Sequence, residues 1–230
     1  MCGRFTSTTP IDDIVGHFGV EEVRADDLGP RYNVAPTDPV YAVVEVDDRR
    51  RLGVMRWGLV PSWADDPRIG SRMINARAET LDTKPAFRRL LARRRCLVPA
   101  DGFYEWRPAV GGGRKQPVHV RPRGGGLLAL AGLWDVWRGE GGTDRLVSCT
   151  IITTEASPEL AELHDRMPVV LEQGAWDAWL DPSHDEPGAL GGLLRPSGGF
   201  EQVEVTTAVN DVRNDGPELL APAGAQGTES

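Results

Sequence analysis

Runs of apolar and β-branched residues separated by short polar breaks dominate the chain. VYAVVEV (40–46) and LGVMRW (52–57) flank the polar string DDRRR, which predicts an antiparallel hairpin. From 96 to 154, CLVPA, GFYEW, PVHVR, LLALAGLW and LVSCTIITT read as successive strands, and EQVEVTT (201–207) as a late one. Helical spacing is rarer. KPAFRRLLARRR (84–95) places Phe87, Leu90 and Leu91 on one face and basic residues on the other. IDDIVGHFGV is expected to be a short helix, with Thr9 as its cap, Pro10 at its first position, and Asp12 and Asp13 at the positive end of its dipole. SPELAELH (157–164) is expected to be a helix capped by Ser157, and QGAWDAWL (173–180) another. Gly111–Gly113 and Gly124–Gly126 mark turn tips. Strands follow strands more often than they alternate with helices. The fold class expected is therefore α+β: a single domain of mainly antiparallel sheets approaching a barrel, with short helices packed around it. There is no internal repeat and no linker. Residues 1–220 are expected to form the domain, and 221–230 a disordered tail.

Composition narrows the functional classes. The 230 residues are 40% hydrophobic and 26% charged, ordinary values for a globular chain. No apolar run approaches the ~20 residues of a membrane span, and MCGRFTSTTPIDD lacks the basic and apolar regions of a secretory signal. Three cysteines, Cys2, Cys96 and Cys149, make no disulfide framework and no zinc spacing. A cytoplasmic chain with no metal and no membrane partner is expected, monomeric by default. Neither glycine run fits a phosphate-binding loop, so no cofactor is expected. The net charge of −8 is unevenly spread: residues 1–130 carry 21 Lys and Arg against 16 Asp and Glu, and residues 131–230 carry 5 against 18. One basic and one acidic face would result.

Cys2 is the most informative residue. Removal of Met1 is expected, because methionine trimming tolerates a small second side chain. Residue 2 would then carry an amine with pKa about 7.7–8.0 beside a thiol near about 8.5. Such a 1,2-aminothiol reacts with aldehydes: the amine forms an imine, and the tethered thiol closes a five-membered thiazolidine. Gly3 permits close backbone approach, Arg4 suits an anion, and Phe5 is a candidate anchor in the core. NARAE (75–79) joins an amide, a guanidinium and a carboxylate; alone it reads as a hydrogen-bonded turn. Glu105 sits among aromatics in GFYEW, where desolvation would raise its pKa toward that of a general acid or base; alone it reads as an outward-facing glutamate. His164 in HDRMP is either a helix cap or a titrating group. His17, His119 and His184 are assigned no chemistry. Trp57 and Trp63 in WGLVPSW are either core or wedges against unstacked bases. YNVAPT (32–37) is expected to be an extended, proline-fixed loop.

Taken together, MCGRF (1–5), YNVAPT (32–37), WGLVPSW (57–63), INARAET (74–80), PADGFYEW (99–106) and HDRMPVVL (164–171) resemble the SOS-response-associated peptidase (SRAP) family of abasic-site processing proteins. AVNDVRNDGPELL (208–220) is similar to the family's C-terminal segment. No single string is specific, but their order and spacing are. The resemblance implies a covalent thiazolidine crosslink between Cys2 and the ring-opened aldehyde of an abasic site in single-stranded DNA. It assigns orientation of the amine and sugar to Asn75, proton transfer during ring opening to Glu105, and assistance to imine formation and reversal to His164. Arg77 and Arg166 would hold phosphates, with a contribution from Arg4. Trp57, Trp63 and the loop containing Asn33 would line the DNA path. It also implies self-removal of residue 1 as the origin of the peptidase name, a lyase side reaction through the imine, and association with damaged DNA in the nucleoid.

Two other classes use parts of the same evidence. An amidotransferase with an N-terminal cysteine also starts near MCG, but has no required part for INARAE, GFYEW and HDRMP. A non-catalytic single-strand binding module would use the tryptophans and arginines and leave Cys2 idle.

Overall fold

A computed structural model describes residues 2–108, 113–139 and 144–224. In its first half the strands are β1 (Arg4–Ser7), β2 (Glu22–Arg24), β3 (Arg31–Val34), β4 (Pro39–Val46), β5 (Arg49–Trp57), β6 (Asn75–Arg77) and β7 (Arg95–Ala100). Then come β8 (Gly102–Arg107), β9 (Gln116–Pro122), β10 (Leu128–Arg138), β11 (Arg145–Glu155), β12 (Arg166–Pro168) and β13 (Phe200–Glu204). Among the described residues there are also four short helices, α1 (Ile11–Phe18), α2 (Pro85–Arg93), α3 (Trp176–Leu180) and α4 (Pro187–Leu193), and several short 3₁₀ segments.

Five strands close on themselves in the order β5-β4-β7-β10-β11, and the closing pair β11–β5 is parallel. The sequence led to an approach toward a barrel of mainly antiparallel strands; the barrel is closed and mixed, since β2–β5 and β11–β6 are parallel as well. A second, wholly antiparallel sheet runs β13-β9-β8-β1-β3. Cys96, Val98, Met55, Trp57, Cys149 and Ile151 from the barrel pack with Phe5, Phe103, Val118 and Val120 from this sheet in one core. The helices cover the outer face in another, where Phe87, Leu90 and Leu91 of α2 meet Leu97 and Leu133.

Local chemistry explains the joints. The expected hairpin is present, but its turn is only Asp47-Asp48, both at positive φ (53° and 55°). Two-residue hairpins need that left-handed conformation, and aspartate tolerates it. The three arginines of DDRRR therefore belong to β5. Gly58, at φ 126°, and Gly70 approach so closely that a Cβ on either would lie 2.6 Å from the other's carbonyl oxygen. This contact folds residues 58–74 back against the barrel between β5 and β6.

Three expectations fail locally. Thr9 does not cap α1: its hydroxyl donates to Asp101, and the helix begins after Pro10 without a side-chain cap. Residues 157–164 are consecutive turns rather than a helix, because the chain must return to β11 as β12, with Ala156 N–H donating to Asp165 O (2.9 Å) at the neck. YNVAPT is not all loop, since Tyr32–Val34 lie in β3. At the C-terminus, the start of the expected tail is held: Val205 bridges Pro222, and Ala223 N–H donates to Glu204 O (2.8 Å). Met1, Gly111, Gly112 and residues 225–230 lie outside the described residues.

Candidate active site

Three strand pairings bring the predicted chemistry together from four separate stretches of chain. β1 pairs with β8 through Arg4↔Tyr104 and Phe5↔Phe103, which carries residues 2 and 3 alongside Glu105. β6 pairs with β11 through Ile151↔Asn75, and β12 pairs with β11 through Glu155↔Arg166. The middle of β11 thus fixes Asn75 near the N-terminal strand, and its end fixes the HDRMP segment.

Asn75 Nδ2 donates to the carbonyl of Cys2 at 2.8 Å, across 73 residues. Its other amide atom, Oδ1, is buried and has no hydrogen-bond partner among the described residues. A buried amide oxygen in that state is costly unless a donor arrives. Cys2 is 0% exposed, and its Sγ lies 4.0 Å from Arg4 O. Burial pushes the thiol up, and the neighbouring charge of Glu105 adds to the shift. Glu105 is 4% exposed, so it is not the outward-facing glutamate its strand position alone suggested. Burial pushes its carboxyl up, and the charge of His164 pulls it part of the way back. His164 is half-buried. Its Nδ1 accepts from Arg166 N–H (2.9 Å) and also lies 2.8 Å from Asp165 Oδ1. The first contact needs Nδ1 without a hydrogen and the second needs Nδ1–H, so the two belong to different placements of the ring hydrogen.

The remaining predicted residues divide. Arg77 ends β6 and is exposed. Arg166 is largely buried and forms a two-bond pair with Glu79 (2.9 Å each), plus a bond to Thr153 O (2.6 Å). Trp63 is 63% exposed. Trp57, by contrast, is 0% exposed: it packs edge-on to Phe5 at 5.1 Å and donates to Ile74 O, so it is core and lines no DNA path. Asn33 is corrected in the same way. It is 1% exposed; its amide N–H groups point at Val209 O, Asp211 O and Asn214 O, and its oxygen accepts from Arg4. Arg4 itself spans Asn33 Oδ1 (2.8 Å) and Val209 O (2.9 Å), which makes it a tie between β1 and the C-terminal segment.

That C-terminal segment is what sequence reasoning missed. Asp215 accepts from the N–H groups of Tyr32 and Asn33 and pairs with Arg31, capping the open edge of β3. Asn210 accepts from Trp106 Nε1 at 2.7 Å. The resemblance pointed to this stretch without giving it a role, and its partners lie too far away in sequence for any local pattern to reveal them. Glu79 was read only as part of a turn; its position two residues after Arg77 was the available signal.

The family model described as SOS response associated peptidase (SRAP) matches residues 1–212. The abasic site processing protein YoqW of Bacillus subtilis (strain 168) is 41% identical over 96% of this chain and 99% of its own length. The abasic site processing protein HMCES of Gallus gallus is 36% identical over 88% of this chain and 69% of its own. A crystal structure of a protein from Bacteroides thetaiotaomicron superposes with a TM-score of 0.82 at 26% identity, covering 96% of this chain and all of the other. The chain belongs to the SRAP family. Its closed barrel and second sheet are the form that family takes here.

Proposed function

We propose that this protein processes abasic sites in single-stranded DNA by forming a thiazolidine with Cys2 once residue 1 has been released. The observation that carries the reading is the convergence of Asn75 on the Cys2 backbone at 2.8 Å, with Glu105 buried close enough for its charge to act on the thiol. Release of residue 1 converts the Cys2 amide into an amine. The reading requires that the same event leave the thiol, buried in the full chain, within reach of a sugar.

The chemistry balances without oxidant or cofactor. The deoxyribose ring opens as Glu105 takes the proton of the C1′ hydroxyl and a proton is returned to the ring oxygen. A carboxyl raised by burial holds and releases protons nearer neutrality than an exposed one. The amine adds to the C1′ aldehyde, water leaves, and an imine remains. The thiol then adds across the imine, forming the C–S bond while its proton passes to nitrogen. One water is lost overall. Asn75, with an unfilled oxygen acceptor beside the Cys2 carbonyl, orients the amine. His164 moves protons at the imine step. Arg77 faces solvent ready for a phosphate, whereas Arg166 exchanges bonds to Glu79 for a phosphate oxygen. Trp63 stacks on a base. Before ring closure, the imine also permits β-elimination of the 3′ phosphate, a lyase side reaction that the thiazolidine suppresses. Self-removal of residue 1 accounts for the peptidase name. The protein acts as a monomer in the cytoplasm, joining the nucleoid where DNA is damaged.

Intact mass measured before and after incubation with an abasic single-stranded oligonucleotide tests the reading. The protein is expected to lack residue 1 and to gain the oligonucleotide mass less one water. Retention of residue 1 on crosslinked protein, or no adduct at all, would overturn it.

A further inference from the structure

Away from Cys2, α2 carries a surface that none of the proposed chemistry uses. Residues 84–95 hold six cations, Lys84, Arg88, Arg89, Arg93, Arg94 and Arg95, and no carboxylate, in a chain of net charge −8. Arg95 turns inward and donates to Leu91 O and Ala92 O, and Arg94 pairs with Asp135. Lys84, Arg88, Arg89 and Arg93 are exposed, and among the described residues none has a carboxylate within ion-pair distance. Arg107 pairs with Glu204, Arg121 with Glu201 and Arg123 with Glu159. Other exposed arginines without an ion pair among the described residues, such as Arg72, Arg145 and Arg195, stand far apart in sequence, whereas residues 84–93 gather four such cations.

Two of these cations, Arg89 and Arg93, line a groove of about 500 Å³ together with Ser62, Trp63, Pro85 and Asp135. Its aromatic wall is rigid. Ser62 N–H donates to Asp135 Oδ2 (2.8 Å), Trp137 Nε1 donates to Ala64 O (2.6 Å), and Ala64 N–H returns to Pro61 O, so Trp63 is clamped on both sides while its ring stays in water. The groove also lies in register with the site. Asn75 sits opposite Ile151, and Asp135 sits opposite Ser148 on the same strand. That is about 10 Å along β11 and, because β6 and β10 flank β11 on opposite sides, two strand spacings or about 10 Å across.

Unmatched cations beside a presented aromatic ring are the combination that tracks a nucleic-acid strand, phosphates on the charges and a base on the ring. We propose that this groove binds the phosphodiester backbone of the strand that carries the lesion, beyond the abasic nucleotide, with Arg89 and Arg93 as its phosphate contacts. The proposal rests on the DNA-processing reading above and extends its binding surface to α2. The strand then leaves Cys2, passes Trp63 and runs along the basic helix.

The test is fluorescence anisotropy with an undamaged single-stranded 20-mer between 50 and 200 mM salt. The double variant Arg89→Gln/Arg93→Gln is expected to bind at least tenfold more weakly, with a salt slope flattened by about 1.4, since each phosphate contact to a single strand contributes about 0.7. Arg107→Gln/Arg121→Gln removes the same charge from the matched surface and is expected to cost less than twofold. The loss caused by the α2 pair should shrink as the oligonucleotide is shortened. Unchanged affinity in the α2 variant, or equal losses in both pairs, would overturn the proposal. Binding of undamaged DNA needs no Cys2 chemistry. Arginine-dependent binding without crosslinking therefore sinks the crosslinking reading alone, and crosslinking with binding indifferent to Arg89 and Arg93 sinks this one alone.

Discussion

Around Cys2, polar atoms are withdrawn from water and Asn75 Oδ1 has no partner among the described residues, whereas along α2 Lys84, Arg88, Arg89 and Arg93 stand in water with no described carboxylate in ion-pair contact. Both arrangements cost stability when empty, for opposite reasons. Inside, the cost is desolvation, and it raises the Glu105 carboxyl and the Cys2 thiol. Outside, it is repulsion among like charges, which water and salt keep small. Chemistry near neutrality gains from the first kind, because a carboxyl exchanges protons there more readily once burial has raised it. A binding track needs the second, because its gain comes from released counterions. WGLVPSW shows the division within seven residues: Trp57 is core and Trp63 is presented.

The comparison breaks first at Cys2. Cys2→Ser should abolish the stable adduct on a denaturing gel, because the oxygen analogue closes a less stable ring; a surviving shifted band would remove the thiol from the chemistry. The buried side also carries a stability signature. His119 is buried beneath β1, where its Nε2 meets Thr6 Oγ1 at 3.1 Å, and its ring occupies the space a side chain on Gly102 would fill. Burial, then the charge of Arg121, pushes it down from 6.5 to about 4. In that window the unfolded chain binds a proton that the folded one does not, so stability falls as pH drops from 6.5 toward 4. The loss approaches about 3 kcal/mol and levels off below. Urea titrations should show this slope flattened in His119→Gln; an unchanged slope would assign it to other groups. Glu105→Gln should slow crosslinking about 100-fold in single-turnover assays while DNA affinity holds, in keeping with general acid–base catalysis. Equal rates would leave Glu105 a structural residue. On the exposed side, Trp63→Ala should weaken single-strand binding by about 1–3 kcal/mol at constant thermal stability. A fall in melting temperature without a fall in affinity would make Trp63 a packing residue.

What the sequence could and could not disclose follows the range of the interactions. The β4–β5 hairpin and the apolar face of α2 were legible because their signals are local: a two-residue turn, and the 87, 90, 91 spacing. Met55 and Trp57, both buried and two apart on β5, carried an alternation that would have placed Trp57 in the core. The 157–164 segment misled because Leu160 and Leu163, three apart and buried, satisfy a chain of turns as well as a helix. Closing onto β12 decided between them. Asn33 was unreadable in principle: its three carbonyl partners lie 176 to 181 residues away. In the candidate site, residue types pointed to chemistry, but burial of Glu105 and the reach of Asn75 to Cys2 depend on strands paired across long stretches of sequence.

The bond from Arg4 to Val209 spans 205 positions. At synthesis rates of about 5–20 residues per second, some 10–40 s separate the emergence of the first strand from that of its last tether. Throughout that interval the leading residues of a nascent chain have no finished sheet to settle into, and any trimming enzyme at the ribosome meets them loose. Completion of the sheet around Cys2 is thereby deferred to the end of translation, after the terminus has been accessible to trimming.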